Sequence, residues 1–182
     1  PGVTLTGINK IESPNYLFID LKLSSIVNPG EIEILFRRNK KIELRYKYKL
    51  LERDYESIYR KGFSAKDVIY LITPDRYANG NPNNDSNYSL KEKSNRKDKD
   101  GRHGGDLQGI MENLDYIEEM GFTQIWLNPI LENDQPELSY HGYSTTDYYN
   151  IDPRYGSNDI YRELSRRAKD KNIGLIKDII LN

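Results

Sequence analysis

The hydrophobic pattern of this chain changes its period near residue 66, and that change limits the fold more than any other feature of the sequence. Three earlier segments alternate apolar and polar residues: Tyr16–Leu23, Glu31–Phe36 and Lys41–Tyr48. Alternation is typical of strands that bury one face. Turn residues separate the runs, so we predict three or four antiparallel strands. An immunoglobulin-like sandwich needs about seven strands, and residues 1–55 are therefore interpreted as a partial β-sandwich.

Beyond residue 66 the apolar runs are continuous, and segments with helical spacing lie between them. Three runs predict strands buried on both faces, as in a parallel sheet: Asp67–Thr73, Thr123–Asn128 and Gly174–Leu181. Asp106–Gly121 predicts a helix, with Leu107, Ile110, Leu114 and Ile117 on its apolar face. A second helix should begin at Ser157 or Asn158. This order opens a parallel α/β fold, which we assign to residues 56–182.

The charge and residue content exclude several classes of function. Lys and Arg number 27 against 28 Asp and Glu, so the chain has no overall basic field that would attract nucleic acid. It has no cysteine, which excludes disulfides, thiolate metal sites and cysteine nucleophiles. No apolar run approaches the roughly 18–20 residues that a membrane span requires. We therefore expect neither a nucleic-acid partner nor a membrane span.

A long polar connection from Ala78 to Arg102 is unusual for a strand-to-helix loop. We expect the tip of its charged portion, Lys91–Asp100, to be solvated and mobile. Asn79–Asp85 and Gly104–Asp106 are rich in the carboxylate, amide and carbonyl oxygens that Ca²⁺ prefers. The same residues also dominate ordinary turns, and composition alone favours a plain turn over a metal site.

Residues 67–182 resemble the α-amylase family of glycoside hydrolases, most of all its neopullulanase and cyclomaltodextrinase branch. The stretches that carry the resemblance are Asp67–Gly80 with Arg102–Gly109, then Gly121–Pro129, Tyr140–Tyr149 with Ile151–Gly156, and Asp178–Asn182. The last is similar to the Asp-x-x-x-Asn-His pattern at the end of the family's third barrel strand. The strand-rich front resembles the accessory N-terminal domain of cyclomaltodextrinases in placement and pattern only.

The resemblance implies the first strands and helices of a TIM (β/α)8 barrel, with an active site at the C-terminal ends of the strands. It also implies cleavage of α-1,4-glucosidic bonds in malto-oligosaccharides, cyclodextrins or pullulan by a retaining double displacement. In the family the nucleophilic Asp and the acid/base Glu come from later strands. We therefore expect no catalytic residue in these 182 residues, no turnover by the isolated chain, and an open sheet edge that the rest of the polypeptide or a second copy covers.

The resemblance also assigns individual site residues. It places calcium at Asn79, Asn81, Asn84, Asp85, the carbonyl of Gly104, and Asp106. It places substrate at His141 and Tyr143, since aromatic rings stack on sugar faces and imidazole hydrogen-bonds hydroxyls. Asp178 would help to organise the subsite of the reacting sugar, and Asn182 would lie near a structural metal. Without the resemblance, packing would be preferred for a Tyr and a helix cap for Asp178.

Other assignments follow ordinary chemistry. We assign His103 to local hydrogen bonding and Trp126 to core packing. Two rival functions stay open: a noncatalytic carbohydrate-binding or scaffold protein on the same fold, and a metal-stabilised β-sandwich interaction module. A periplasmic or secreted setting would suit a polysaccharide-degrading enzyme, but no residue identifies the compartment.

Overall fold

A computed structural model describes residues 2–60 and 62–181, which fall into two compact units, Pro1–Lys61 and Gly62–Asn182. The boundary predicted after residue 55 lies inside the first unit. Asn182, for which the sequence predicts a place near a metal, lies outside the described residues. No helix in the described ranges is long and apolar enough to span a membrane.

The first unit contains four strands, β1 (Val3–Lys10), β2 (Leu17–Leu23), β3 (Gly30–Arg38) and β4 (Lys41–Leu50). β1 pairs antiparallel with β2, and β3 with β4, so two separate hairpins form. Asn39 and Lys40 join β3 to β4 with φ angles of 50° and 67°, as a tight two-residue hairpin turn requires. The prediction of three or four antiparallel strands is confirmed.

The apolar face of the second hairpin is not buried, contrary to the expectation drawn from the alternation. Leu44, Tyr46 and Tyr48 share one face of β4, and each is 44–55% exposed. Leu50 at the end of β4 is the one buried hydrophobic residue among those described in this unit. Alternation identified the strands correctly, but it did not predict that these residues of β4 are exposed.

The second unit is built on a three-stranded parallel sheet in the order β5 (Ile69–Ile72), β6 (Gln124–Leu127) and β9 (Gly174–Lys177). Tyr70, Ile125 and Leu175 are aligned across the sheet. The three strands occupy the three predicted apolar runs and run parallel, as predicted. Between β6 and β9 a small antiparallel hairpin forms from β7 (Leu131–Glu132) and β8 (Asp147–Ile151).

Four α-helices accompany the sheet in the described part of this unit: α1 (Pro74–Tyr77), α2 (Leu107–Glu112), α3 (Leu114–Glu119) and α4 (Asn158–Asp170). The single helix predicted over Asp106–Gly121 is therefore interrupted at Asn113. The Asn113 side-chain amide donates to the Gly109 carbonyl over 2.7 Å at this break. Ser157 caps α4 as predicted, because its hydroxyl accepts the Ile160 N–H over 3.2 Å.

The core lies on one face of the sheet only. Ile72, Ile125 and Leu127 are buried there, together with all four predicted apolar positions of α2 and α3. The opposite face carries Leu71 and Trp126, which are 55% and 39% exposed. Trp126 therefore lies outside the core that the described residues form, and its assignment to core packing stays a prediction.

Candidate functional site

The carboxyl ends of the three parallel strands carry the predicted substrate residues. Thr73 follows β5 and Asn128 follows β6, and the Thr73 hydroxyl donates to the Asn128 side-chain oxygen over 3.3 Å. Asp178 directly follows β9, and its N–H donates to the Leu127 carbonyl over 3.4 Å. These contacts hold the strand ends together, so the loops that leave them converge on one edge of the sheet.

The structure brings His141, Tyr143 and Asp178 together at that edge. The Tyr143 phenol donates to Oδ2 of Asp178 over 3.0 Å, although 35 residues separate the two in the chain. The Tyr143 N–H donates to Nδ1 of His141 over 3.1 Å, and the two rings stack with centroids 5.7 Å apart. A neutral His141 therefore carries its proton on Nε2. This arrangement can pack an apolar ring face and exchange hydrogen bonds with hydroxyl groups.

Partial burial and the neighbouring carboxylate raise the pKa of the Tyr143 phenol above its ordinary value of 10.0. Desolvation is the main cause of the raised pKa of Tyr143, and the hydrogen bond to Asp178 and its negative charge raise that pKa further. Because its pKa lies above 10.0, Tyr143 is a hydrogen-bond donor to Asp178 at neutral pH. The contact fixes the direction in which the carboxylate oxygens point.

Gly142 allows His141 and Tyr143 to adopt this geometry. Its φ of 82° lies in the left-handed region, and a Cβ there would stand 2.0 Å from the Pro129 carbonyl oxygen. Only glycine fits such a close approach without strain. The short 3-10 turn Ser139–His141 precedes it and presents the imidazole.

Glu92 fixes the start of that turn, which corrects part of our expectation for the charged loop. Its carboxylate accepts the Ser139 N–H over 2.7 Å, and Glu92 is buried. Residues 95–100 are exposed, in agreement with a solvated tip; the mobility of this tip stays a prediction. Charge alone did not distinguish the buried Glu92 from its solvated neighbours.

Sequence reasoning missed a buried ion pair behind the site. Arg154 donates twice to the Asp152 carboxylate, over 2.9 and 2.7 Å, and both side chains are fully buried. The same guanidinium donates to the carbonyls of Glu92 and Asn133 over 2.9 and 2.8 Å. Arg154 therefore ties the long 78–102 connection to the loop after β6. The sequence feature that could have indicated this pair is the Asp-x-Arg spacing of Asp152 and Arg154 directly after the apolar residue Ile151.

Asp75 is a second buried group that the sequence analysis did not select. Its carboxylate accepts the N–H groups of His103 and Gly104 over 2.8 and 3.1 Å. Arg102 is also fully buried, with its guanidinium 4.6 Å from the Tyr155 ring centroid and one nitrogen donating to the Ser139 hydroxyl. The His103 ring lies 2.9 Å from the Asp98 carbonyl, which agrees with its assignment to local hydrogen bonding.

The predicted calcium residues separate into two groups. In the first group, Asn79, Asp85 and Gly104 lie against one another. Asn84 is grouped with them because its side-chain oxygen, like that of Asn79, is buried without a donor. The Asn79 amide lies 2.6 Å from Asp85 Oδ1, and a Cβ on Gly104 would be 2.6 Å from the Asp85 carboxyl carbon. The side-chain oxygens of Asn79 and Asn84 are buried and accept no hydrogen bond from any described residue. Buried acceptors without donors are rare in proteins, so these oxygens fit a cation.

Asp106 and Asn81, the second group, already have backbone donors. The Asp106 carboxylate accepts the N–H groups of Gly80, Asn81 and Gly109 over 2.7–3.1 Å and caps α2. The Asn81 side-chain oxygen accepts the Asn83 N–H. Among the described residues no three His, Cys, Asp or Glu side chains form a metal-binding group. A cation here would therefore depend on amide and carbonyl oxygens as well as carboxylate.

Comparison with known proteins identifies both parts of the chain. The α-amylase catalytic-domain model matches residues 71–182, and the cyclomaltodextrinase N-terminal model matches residues 1–54. A β/α-amylase of Paenibacillus polymyxa is 47% identical over 118 residues, which is 65% of this chain and 10% of that protein. A cyclomaltodextrinase of Thermoanaerobacter pseudethanolicus is 38% identical over 115 residues, covering 63% of this chain and 19% of that protein.

A solved structure supports the same conclusion. The crystal structure of an Anoxybacillus α-amylase aligns with a TM-score of 0.55 and 42% identity, over 62% of this chain and 23% of that one. The chain thus spans a tenth to a quarter of the length of these relatives. Because the catalytic-domain model matches well over half of its residues, the chain belongs to the α-amylase family of glycoside hydrolases.

Proposed function

We propose that this chain is the N-terminal part of an enzyme that cleaves α-1,4-glucosidic bonds in malto-oligosaccharides, cyclodextrins or pullulan by a retaining double displacement. The observation that carries the proposal is the hydrogen bond between Tyr143 and Asp178, which assembles a hydroxyl-binding, ring-stacking cluster at the strand ends. In a TIM barrel that edge holds the active site.

The same proposal accounts for the exposed faces of both units. β5, β6 and β9 would be the first three strands of a (β/α)8 barrel, and the face that carries Leu71 and Trp126 would line its interior. β1 to β4 would form one part of a β-sandwich whose other layer covers Leu44, Tyr46 and Tyr48. The covering layers would come from the rest of the polypeptide or from a second copy.

In this function His141 and Tyr143 bind sugar and Asp178 orients the reacting unit. The Tyr143 ring would pack on the apolar face of the sugar, while Nε2 of His141 and the free oxygen of Asp178 would exchange hydrogen bonds with its hydroxyls. Retention needs a nucleophile and an acid/base about 5 Å apart. We propose that both lie outside these 182 residues and that the chain alone has no turnover.

We further propose a structural Ca²⁺ held by Asn79, Asn84, Asp85 and the Gly104 carbonyl, with Asn81 and Asp106 beside it. The two buried amide oxygens without donors and the Asp85 carboxylate next to Gly104 support this assignment. A bound cation would join the loop after α1 to the start of α2, which Asp106 caps.

Calorimetric titration of the 182-residue chain with maltohexaose and with a cyclodextrin tests the binding role. We expect binding that Tyr143→Ala abolishes and that Tyr88→Ala, at a tyrosine that is 97% exposed in the polar loop, leaves unchanged. A reducing-sugar assay should detect no product. Sugar binding that is unchanged in Tyr143→Ala, or product release that Asp178→Ala abolishes, would contradict the proposal.

A natural protein whose intact mass equals that of these 182 residues would instead support the noncatalytic alternative.

A further inference from the structure

Arg76 and Tyr140 occupy a place that the proposed function does not use. Arg76 belongs to α1, after β5, and Tyr140 belongs to the 3-10 turn after β6. The Arg76 guanidinium carbon lies 3.9 Å from the centroid of the Tyr140 ring. This is a close cation–π contact, since such pairs are recognised out to about 6 Å.

The guanidinium is held from two further directions. It pairs with the carboxylate of Asp75, whose side chain is fully buried, and it donates to the Lys99 carbonyl over 2.9 Å. Asp75 is itself fixed by the backbone N–H groups of His103 and Gly104. The Arg76 side chain is only 24% exposed, so it presents a rigid cationic surface to the tyrosine.

Tyr140 makes two further contacts. Its carbonyl accepts the hydroxyl of the buried Tyr155. Its ring and the His141 ring meet edge to face, with centroids 5.7 Å apart and planes inclined by 65°. The Tyr140 ring therefore lies between the Arg76 guanidinium and the His141 imidazole, and that imidazole accepts the Tyr143 N–H.

We infer that Arg76 and Tyr140 are positioning residues that hold the His141 ring in the orientation needed to bind a sugar hydroxyl through Nε2. The pair touches no sugar and acts through His141. Without the guanidinium the Tyr140 ring loses the support on its face, and His141 can rotate away from the Tyr143 N–H. The inference rests on the proposed function for its effect on sugar binding, but the imidazole orientation can be measured without any sugar.

The first experiment is nitrogen-15 NMR of the imidazole rings, and the chain has only two histidines. At a pH where His141 is neutral, the wild-type chain should show Nδ1 unprotonated and Nε2 protonated. Arg76→Met and Tyr140→Leu should give a mixture of tautomers, while Tyr140→Phe, which keeps the aromatic face, should retain the wild-type pattern. His103, whose ring contacts the Asp98 carbonyl, gives the second imidazole signal, and Tyr140→Phe is the control for His141. An unchanged His141 pattern in folded Arg76→Met would overturn the inference.

The second experiment is maltohexaose affinity in the same variants. We expect Arg76→Met to weaken binding roughly tenfold, within the range of cation–π contacts, and Tyr140→Phe to bind as the wild type does. Urea unfolding of each variant shows that it remains folded. If Tyr143→Ala weakens binding but Arg76→Met does not, the positioning role fails and the proposed function survives. If the wild type binds no sugar while its tautomer still depends on Arg76, the proposed function fails and the positioning of His141 stands.

Discussion

The Tyr143 hydroxyl and the Asp178 carboxylate are joined by a 3.0 Å hydrogen bond that links the loop after β6 to the end of β9. The resemblance places both residues at the substrate site, but it does not predict this direct contact between them. It fixes the carboxylate of Asp178 and raises the pKa of Tyr143. It can therefore be tested through the titration of the phenol.

We expect Asp178→Asn to lower the pKa of Tyr143, because the variant removes a negative charge that opposes phenolate formation. Burial, the largest cause of the raised pKa, would remain, so the value should stay above the ordinary 10.0. The difference in tyrosinate absorbance between each protein and its Tyr143→Phe variant isolates this titration. The opposite shift would show that Asp178 does not accept from Tyr143.

The raised pKa also sets the sign of a pH effect on stability. The folded chain holds the Tyr143 proton more tightly than the unfolded chain, whose phenol titrates near 10.0. The contribution is thus fully present below that pH and is lost as pH rises through the folded value. The stability difference between wild type and Tyr143→Phe should shrink above pH 10 and stay constant between pH 7 and 9. Urea unfolding at these pH values measures it.

Gly142 and Gly121 form a matched pair for testing the turn that presents His141. Both have φ near 82°, but a Cβ at Gly142 would meet the Pro129 carbonyl oxygen at 2.0 Å, whereas a Cβ at Gly121 would meet open space. Alanine should cost about 1–2 kcal/mol of left-handed strain at either position. Gly142→Ala should lose a further 1–3 kcal/mol or so, as overpacking does. Equal losses in urea unfolding would show that the Pro129 contact does not constrain the turn.

Sequence periodicity predicted the elements of this fold well, because strands and helices repeat their apolar residues at fixed intervals. Leu107, Ile110, Leu114 and Ile117 are all buried as the helical spacing required. The interruption at Asn113 was not predicted, since the apolar spacing continues across it while a side-chain hydrogen bond to Gly109 marks the break.

Periodicity could not predict what covers each apolar face. Trp126 and Leu44 have the pattern of buried residues, yet both are partly exposed, because burial depends on the presence of a facing layer. Arg154 and Asp152 show the opposite case, in which charged residues are buried. Charged residues are usually solvated. Here the burial is stabilised by their mutual pairing, by two carbonyls that accept from Arg154, and by two backbone N–H groups that donate to Asp152.

The Arg154–Asp152 pair should be costly to break from one side. Asp152→Asn leaves a buried guanidinium without its counter-charge, and we expect a loss of roughly 3–5 kcal/mol in the free energy of unfolding. Arg166→Met on the exposed surface of α4, where Arg166 pairs with Glu163 and Asp170, should change stability little. Urea denaturation of both variants gives the comparison. A small effect of Asp152→Asn would mean that the pair does not anchor the two loops.

Calcium should stabilise the chain through Asp85. Binding to the folded state alone adds about 2.7 kcal/mol when the free ion is at one hundred times its dissociation constant. We expect calcium to raise the unfolding midpoint of the wild type, and Asp85→Asn to remove most of this increase. Asp100→Asn, at an exposed position of the same long connection, should respond to calcium as the wild type does.

Magnesium should stabilise the chain less than calcium, because it demands a stricter geometry than a flexible set of amide, carbonyl and carboxylate oxygens supplies. If calcium stabilised Asp85→Asn and wild type equally, the buried oxygens of Asn79 and Asn84 would have to be satisfied by something other than a cation held with Asp85.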